Sequence, residues 1–82
     1  MNMYVGNLNY KVRESDLEQA FNAYGTVTSV KVIKDRETNK SKGFAFVEMS
    51  SDEEASEAMN ALNGSEFMGR QLVIKEALPK KM

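Results

Sequence analysis

The chain contains no cysteine and no histidine. Without cysteine there is neither a disulfide framework nor a thiolate metal site. Without histidine the commonest general base and the commonest metal ligand are both missing. No cofactor, no metal and no enzymatic activity are therefore expected. No apolar run approaches the ~20 residues of a membrane-spanning helix, so no membrane partner is expected. No basic-then-apolar leader precedes the first strand signal, which begins almost at Met1. The 82 residues suffice for one small domain with one core. A soluble cytoplasmic domain is the expectation.

An excess of positive charge is also missing. Net charge is −1 and the sequence pI is about 5.4, which alone argues against a nucleic-acid binder. The distribution of charge says more than the sum. Two segments read as helices, 14–24 and 51–62. They carry Glu14, Asp16, Glu18, Asp52, Glu53, Glu54 and Glu57 and no Lys or Arg. All 11 basic residues lie elsewhere, with only Asp35, Glu37, Glu48, Glu66 and Glu76 among them. If the helices cover one side of a sheet, the other side and its loops are basic.

The chain alternates strand and helix signals. MNMYVGNL opens with Met3 and Val5 on one face and Tyr4 on the other. In 14–24, Leu17, Ala20, Phe21 and Tyr24 recur at helical spacing, with Gly25 as the stop. Ser15 with Glu18 offers a capping box, and Arg13 upstream is a poor cap. TVTSVKVIKD (26–35) is β-branched, with Val30 and Val32 inward and Lys31 and Ile33 outward. RETNKS is a polar hairpin loop in which Asn39 suits a left-handed turn. After the strand KGFAFVEM (42–49), Ser51 and Glu54 suit a second capping box. Ala55, Ala58, Met59 and Leu62 form that helix's apolar stripe, and Asn63-Gly64 ends it. A turn at Met68-Gly69 leads into a last strand, RQLVIKEA (70–77), with Leu72 and Ile74 inward and Val73 and Lys75 outward. LPKKM (78–82) is a short basic tail. The order βαββαβ predicts an α+β fold, a ferredoxin-like sandwich: a four-stranded antiparallel sheet with two helices on one face. One domain is expected over 1–77, followed by the tail.

KGFAFVEM is apolar on both faces. Gly43, Ala45, Val47 and Met49 lie on one side, and Phe44 and Phe46 stand between Lys42 and Glu48 on the other. With both helices on one face of the sheet, Tyr4, Phe44 and Phe46 must stand on the open one. An uncovered aromatic cluster marks an interaction site. Flat rings bordered by Lys31, Lys42 and Lys75 suit single-stranded nucleic acid, whose bases stack while ammonium groups meet phosphates.

Over nearly its whole length the sequence resembles an RNA recognition motif domain. KGFAFVEM resembles the family's signature Lys/Arg-Gly-aromatic-Gly/Ala-Phe-Val-x-aromatic, with Met49 departing from the final aromatic. MYVGNL (3–8) resembles the second signature. The resemblance implies single-stranded RNA as partner, with single-stranded DNA as a second candidate. It implies that Tyr4 and Phe44 stack on bases, Phe46 inserts between sugars and Lys42 meets a phosphate. Asn7 follows the family's pattern, and Lys31, Arg36, Lys40 and Lys75 are further candidate RNA contacts. DRETNKSKGF also resembles small single-domain members from bacteria, plastids and the glycine-rich eukaryotic group, and a strand beginning almost at Met1 suits a compact bacterial version; a monomer in a bacterial cytoplasm is expected.

Two rivals deserve weight. The same fold hosts phosphate hydrolysis, but GNLNYKVR has no arginine until Arg13 to cradle a phosphate. Some related domains bind peptides or dimerise instead of binding RNA. They resemble one another in an Arg-x-Phe motif and often lack the sheet aromatics. Here the matching stretch is Ser65-Glu66-Phe67, without the arginine, and the aromatics are present.

Overall fold

The computed structural model of the chain describes residues 2–38 and 41–77, with Ser41 and Lys42 represented by their backbone alone. Asn39, Lys40 and the tail 78–82 lie outside the described residues. The elements run β1 (Asn2–Gly6), α1 (Glu14–Asn22), β2 (Val27–Lys34), β3 (Ser41–Met49), α2 (Asp52–Leu62), β4 (Glu66–Phe67), β5 (Arg70–Gln71) and β6 (Val73–Ala77). The main sheet has the order β2-β3-β1-β6, and every adjacent pair is antiparallel. β4 and β5 form a separate two-stranded ribbon. This is the ferredoxin-like sandwich that the βαββαβ order predicts.

Alternation along the strands builds the core. Met3 and Val5 on β1, Val32 on β2, Ala45, Val47 and Met49 on β3 and Ile74 on β6 are buried together. Leu17 and Phe21 from α1 and Ala55 and Ala58 from α2 pack onto them. Each large side chain so buried stabilises the fold by about 1.5–3 kcal/mol relative to exposure. The alanines of α2 let that helix approach the sheet closely. Leu8, Val12 and Leu72 close the ends of the core from loop positions. Among the described residues, no buried side-chain polar atom is without a hydrogen-bond partner. No described helix is long and apolar enough to cross a membrane.

The helix ends differ in detail from the sequence reading. α1 starts at Glu14, the first residue of the 14–24 reading, and Arg13 rather than Ser15 occupies its N-cap position. The Asp16 carboxylate accepts a hydrogen bond from the Arg13 backbone N–H at 2.9 Å, so an acid three residues in closes the turn. A guanidinium has no lone pair to return the favour, and half a capping box results. α1 ends at Asn22 instead of Tyr24, though Tyr24 still packs against the core. Ser51 does cap α2, its hydroxyl accepting from the Glu54 N–H at 3.3 Å. The Glu54 carboxylate turns away to accept from the Thr26 N–H at 3.3 Å, where Gly25 leaves room for it.

RQLVIKEA is not one strand. Arg70 and Gln71 pair with Phe67 and Glu66 across the Met68-Gly69 turn, where both residues have positive φ (51° and 87°). Leu72 breaks the run. Its N–H donates to Ser65 O at 2.9 Å and its carbonyl accepts from Gly64 N at 2.7 Å. Only Val73–Ala77 joins the main sheet, with Leu72 and Ile74 inward and Val73 and Lys75 exposed as expected.

Candidate nucleic-acid interface

The strand register decides what stands side by side on the uncovered face. Lys31 is the partner of Phe46, Phe46 of Tyr4, and Tyr4 of Lys75. Directly opposed residues point to the same side of a sheet, so Lys31, Phe46, Tyr4 and Lys75 form one row across all four strands. The two rings occupy the central strands and the two exposed lysines the edge strands. Two residues before Phe46 on β3, Phe44 points to the same face.

The three rings form a cluster rather than three isolated residues. Centroids lie 5.7 Å apart for Tyr4–Phe44, 6.0 Å for Tyr4–Phe46 and 6.1 Å for Phe44–Phe46. Tyr4 and Phe44 are inclined by only 31°, whereas Phe46 stands edge-on to both, at 66° and 87°. The planes of Tyr4 and Phe44 are thus closely aligned, and the Phe46 ring stands crosswise to both. Tyr4 and Phe44 are half-buried, while Phe46 is 40% exposed.

Glycine permits this arrangement at Gly6. A Cβ there would sit 2.6 Å from the Tyr4 hydroxyl oxygen and 2.7 Å from a ring carbon. The Tyr4 ring leans over the bare backbone of Gly6, and any larger residue would push it away. Gly43 has φ of 85°, in the left-handed region where a side chain is strained. Its carbonyl accepts from the Leu8 N–H at 2.9 Å, holding the end of β3 beside the loop after β1.

The predicted basic residues divide. Lys31 and Lys75 flank the rings in the row described above. Arg36 is exposed in the turn after β2, which is shaped by Asp35 Oδ1 accepting from the Glu37 N–H at 2.8 Å. Lys42 belongs to β3, but its side chain, like Lys40, lies outside the described residues. Asn7 is engaged elsewhere. It sits at φ 59°, donates from Nδ2 to Gln71 O at 2.6 Å and accepts at Oδ1 from Arg70 Nη2 at 2.9 Å. The side chain ties the end of β1 to the β4–β5 ribbon, and a further contact would use its second Nδ2 hydrogen.

One exposed aromatic was not anticipated from the sequence. Tyr10, in the loop after β1, is 68% exposed, and a Cβ added at Gly43 would lie 3.5 Å from its ring. No periodicity marks a loop residue, so nothing in the pattern singled it out. The opposite face is different in kind. The helices that cover it carry acids and no basic side chain, although the Glu14 carboxylate accepts from the Val32 N–H at 3.2 Å and that of Glu54 from the Thr26 N–H. A shallow depression between α1 and the ribbon is lined by Asp16, Gln19, Ala20, Phe67 and Met68. Among the described residues, no group of three or more His, Cys, Asp or Glu could hold a metal ion.

Comparison with known proteins agrees with this geometry. The family model described as RNA recognition motif matches residues 3–73. The candidate RNA-binding protein RbpF of Nostoc sp. strain PCC 7120 is 48% identical over 99% of this chain and 77% of its own length. The crystal structure titled RNA Binding Protein PG1 superposes with a TM-score of 0.95 at 54% identity, covering 100% of this chain and 99% of that one. A Sex-lethal protein/RNA complex superposes with a TM-score of 0.90 at 28% identity, covering 98% of this chain and 48% of that one. With its signatures on β1 and β3 and this fold throughout, the chain belongs to the RNA recognition motif family.

Proposed function

We propose that the chain binds single-stranded RNA across the open face of its sheet. The observation that carries this reading is the row Lys31–Phe46–Tyr4–Lys75, with Phe44 beside it: an aromatic cluster at the centre of an uncovered sheet, flanked by cations. The names of RbpF and of the Sex-lethal complex support the choice of RNA. Bases stack on Tyr4 and Phe44, Phe46 fits between sugars, and Lys31, Lys75, Arg36, Lys40 and Lys42 meet phosphates. Every base has a π-face, so stacking supplies affinity with little sequence preference. Single-stranded DNA is a weaker second ligand, since it lacks the 2′-hydroxyl.

No bond is made or broken. Function is occupancy of a transcript by a monomer in the cytoplasm, through one domain spanning 1–77 with a basic tail at 78–82. Few phosphates are contacted, so affinity falls only modestly with salt.

The test is an amide NMR titration with a pool of short random single-stranded RNAs. Shifts gathered on β1, β3 and the 34–42 loop, with quiet helices, are expected. No shifts at low salt, with a mass corresponding to a dimer, would replace this reading with a sheet-face homodimer whose rings are buried.

A further inference from the structure

Beside the aromatic row runs a polar one. Ser29 is the partner of Glu48, Glu48 of Asn2, and Asn2 of Ala77. Glu48 lies two residues beyond Phe46 on the same face of β3, about 7 Å away along the strand. Its carboxylate is exposed, on the very surface proposed to bind a polyanion. A negative charge there opposes phosphate, and it contributes to binding only by accepting hydrogen bonds, for which a base edge with two adjacent donors is the best match.

The carboxylate is also held in place. At the irregularity between Val27 and Ser29, the Thr28 hydroxyl lies 3.0 Å from the Glu48 carbonyl and 3.3 Å from its Oε1. Thr28 thus steadies the side chain across the sheet surface instead of letting it swing into solvent. A carboxylate has about four lone-pair directions, so one shared donor leaves acceptor capacity on both oxygens. Asn2, alongside, carries an amide that both donates and accepts.

We infer that Glu48, with Asn2, selects guanine at the base position next to the Phe46–Tyr4 row. The inference rests on the RNA-binding reading above and adds a sequence preference to it. On its Watson–Crick edge guanine presents O6 as an acceptor, then N1–H and the 2-amino group as adjacent donors. Glu48 accepts from the two donors, and the Asn2 amide donates to O6. Cytosine and adenine each present one amino donor beside an acceptor, which a carboxylate repels. Uracil presents a single N3–H between two carbonyls. The expected order is guanine first, cytosine and adenine next, uracil last. A bidentate pair of this kind discriminates by about tenfold or more.

Fluorescence anisotropy with hexauridylate, carrying one guanosine at each of the six positions in turn, tests this. Inosine, which lacks the 2-amino group, and adenosine replace the guanosine in matched sets. Glu48→Gln keeps the size and the Thr28 contact, and a thermal melt matching wild type confirms its fold. Wild type is expected to favour the best guanosine hexamer by about tenfold over its adenosine and inosine counterparts. Glu48→Gln is expected to narrow that gap to about twofold and to bind plain hexauridylate more tightly, because a charge facing phosphate is gone. An unchanged guanosine preference in Glu48→Gln, or no preference in wild type, overturns the role of Glu48 while leaving RNA binding intact. Phe44→Ala separates the two levels. If wild type binds none of the RNAs, or binds them no better than Phe44→Ala does, the stacking reading itself fails and the preference fails with it.

Discussion

The two faces of β1 and β3 share a backbone and differ in everything else. Met3, Val5, Ala45 and Val47 are fully buried against the helices, while Tyr4, Phe44 and Phe46 on alternate positions keep ring surface available. The inward set answers to volume, because close-packed interiors register the loss of even one methylene. In the proposed binding mode the outward set answers to ring character, because a leucine of similar bulk has no π-face for a base. A single period of two thus divides core from open face along one strand, residue by residue.

Neighbours on β1 and β3 break or sharpen this division. The largest effect belongs to the inward side: Met3→Ala is expected to lose about 2–5 kcal/mol of stability. Urea unfolding measures it, and RNA affinity of the folded fraction should stay near wild type. On the outward side, Phe44→Ala is expected to cost about 1–3 kcal/mol of binding, similarly for all bases. Its denaturation midpoint should barely move; a large drop would show that the rings serve the fold as much as the ligand. On the helix side, Asp16→Ala removes the partner of the Arg13 N–H and should cost about 1 kcal/mol of stability. Ser15→Ala, one residue earlier, should stay within about 0.5 kcal/mol. Equal melting shifts for the two would return the cap to Ser15. The smallest effect is at the edge of the open face. Lys75→Ala should reduce the slope of log affinity against log salt by about 0.7, the amount for one phosphate contact on a single strand.

Strand periodicity made most of the architecture legible. Inward and outward residues of β1, β2 and β3 followed from alternation, and the open aromatic face followed from having only two helices to cover one side. Family signatures then pointed to the same rings. What escaped were interactions between distant parts of the chain. RQLVIKEA alternates convincingly, but Leu72 bonds back to Ser65 and Gly64, and this detaches Arg70-Gln71 into a ribbon. Asn7 matched a binding signature, yet its amide meets Gln71 and Arg70, more than sixty positions away. Arg13 caps α1 only because Asp16 reaches its backbone, and an arginine at that position gives no sign of this. That Lys31 and Lys75 border the rings was legible, but which ring each one opposes needed the register, which no single strand reveals.

The separation of charge between the two layers has a consequence for a covered transcript. Strongly basic binders neutralise the strand they coat and can bridge one molecule to another, drawing RNA together into condensed masses. This chain carries a net charge of −1, and its two helices hold seven carboxylates and no basic side chain. Each bound copy leaves the strand as negative as before and presents an acidic outer surface. Decorated RNAs would repel one another, and adjacent copies would have no electrostatic reason to cluster, so the transcript stays dispersed however densely it is occupied.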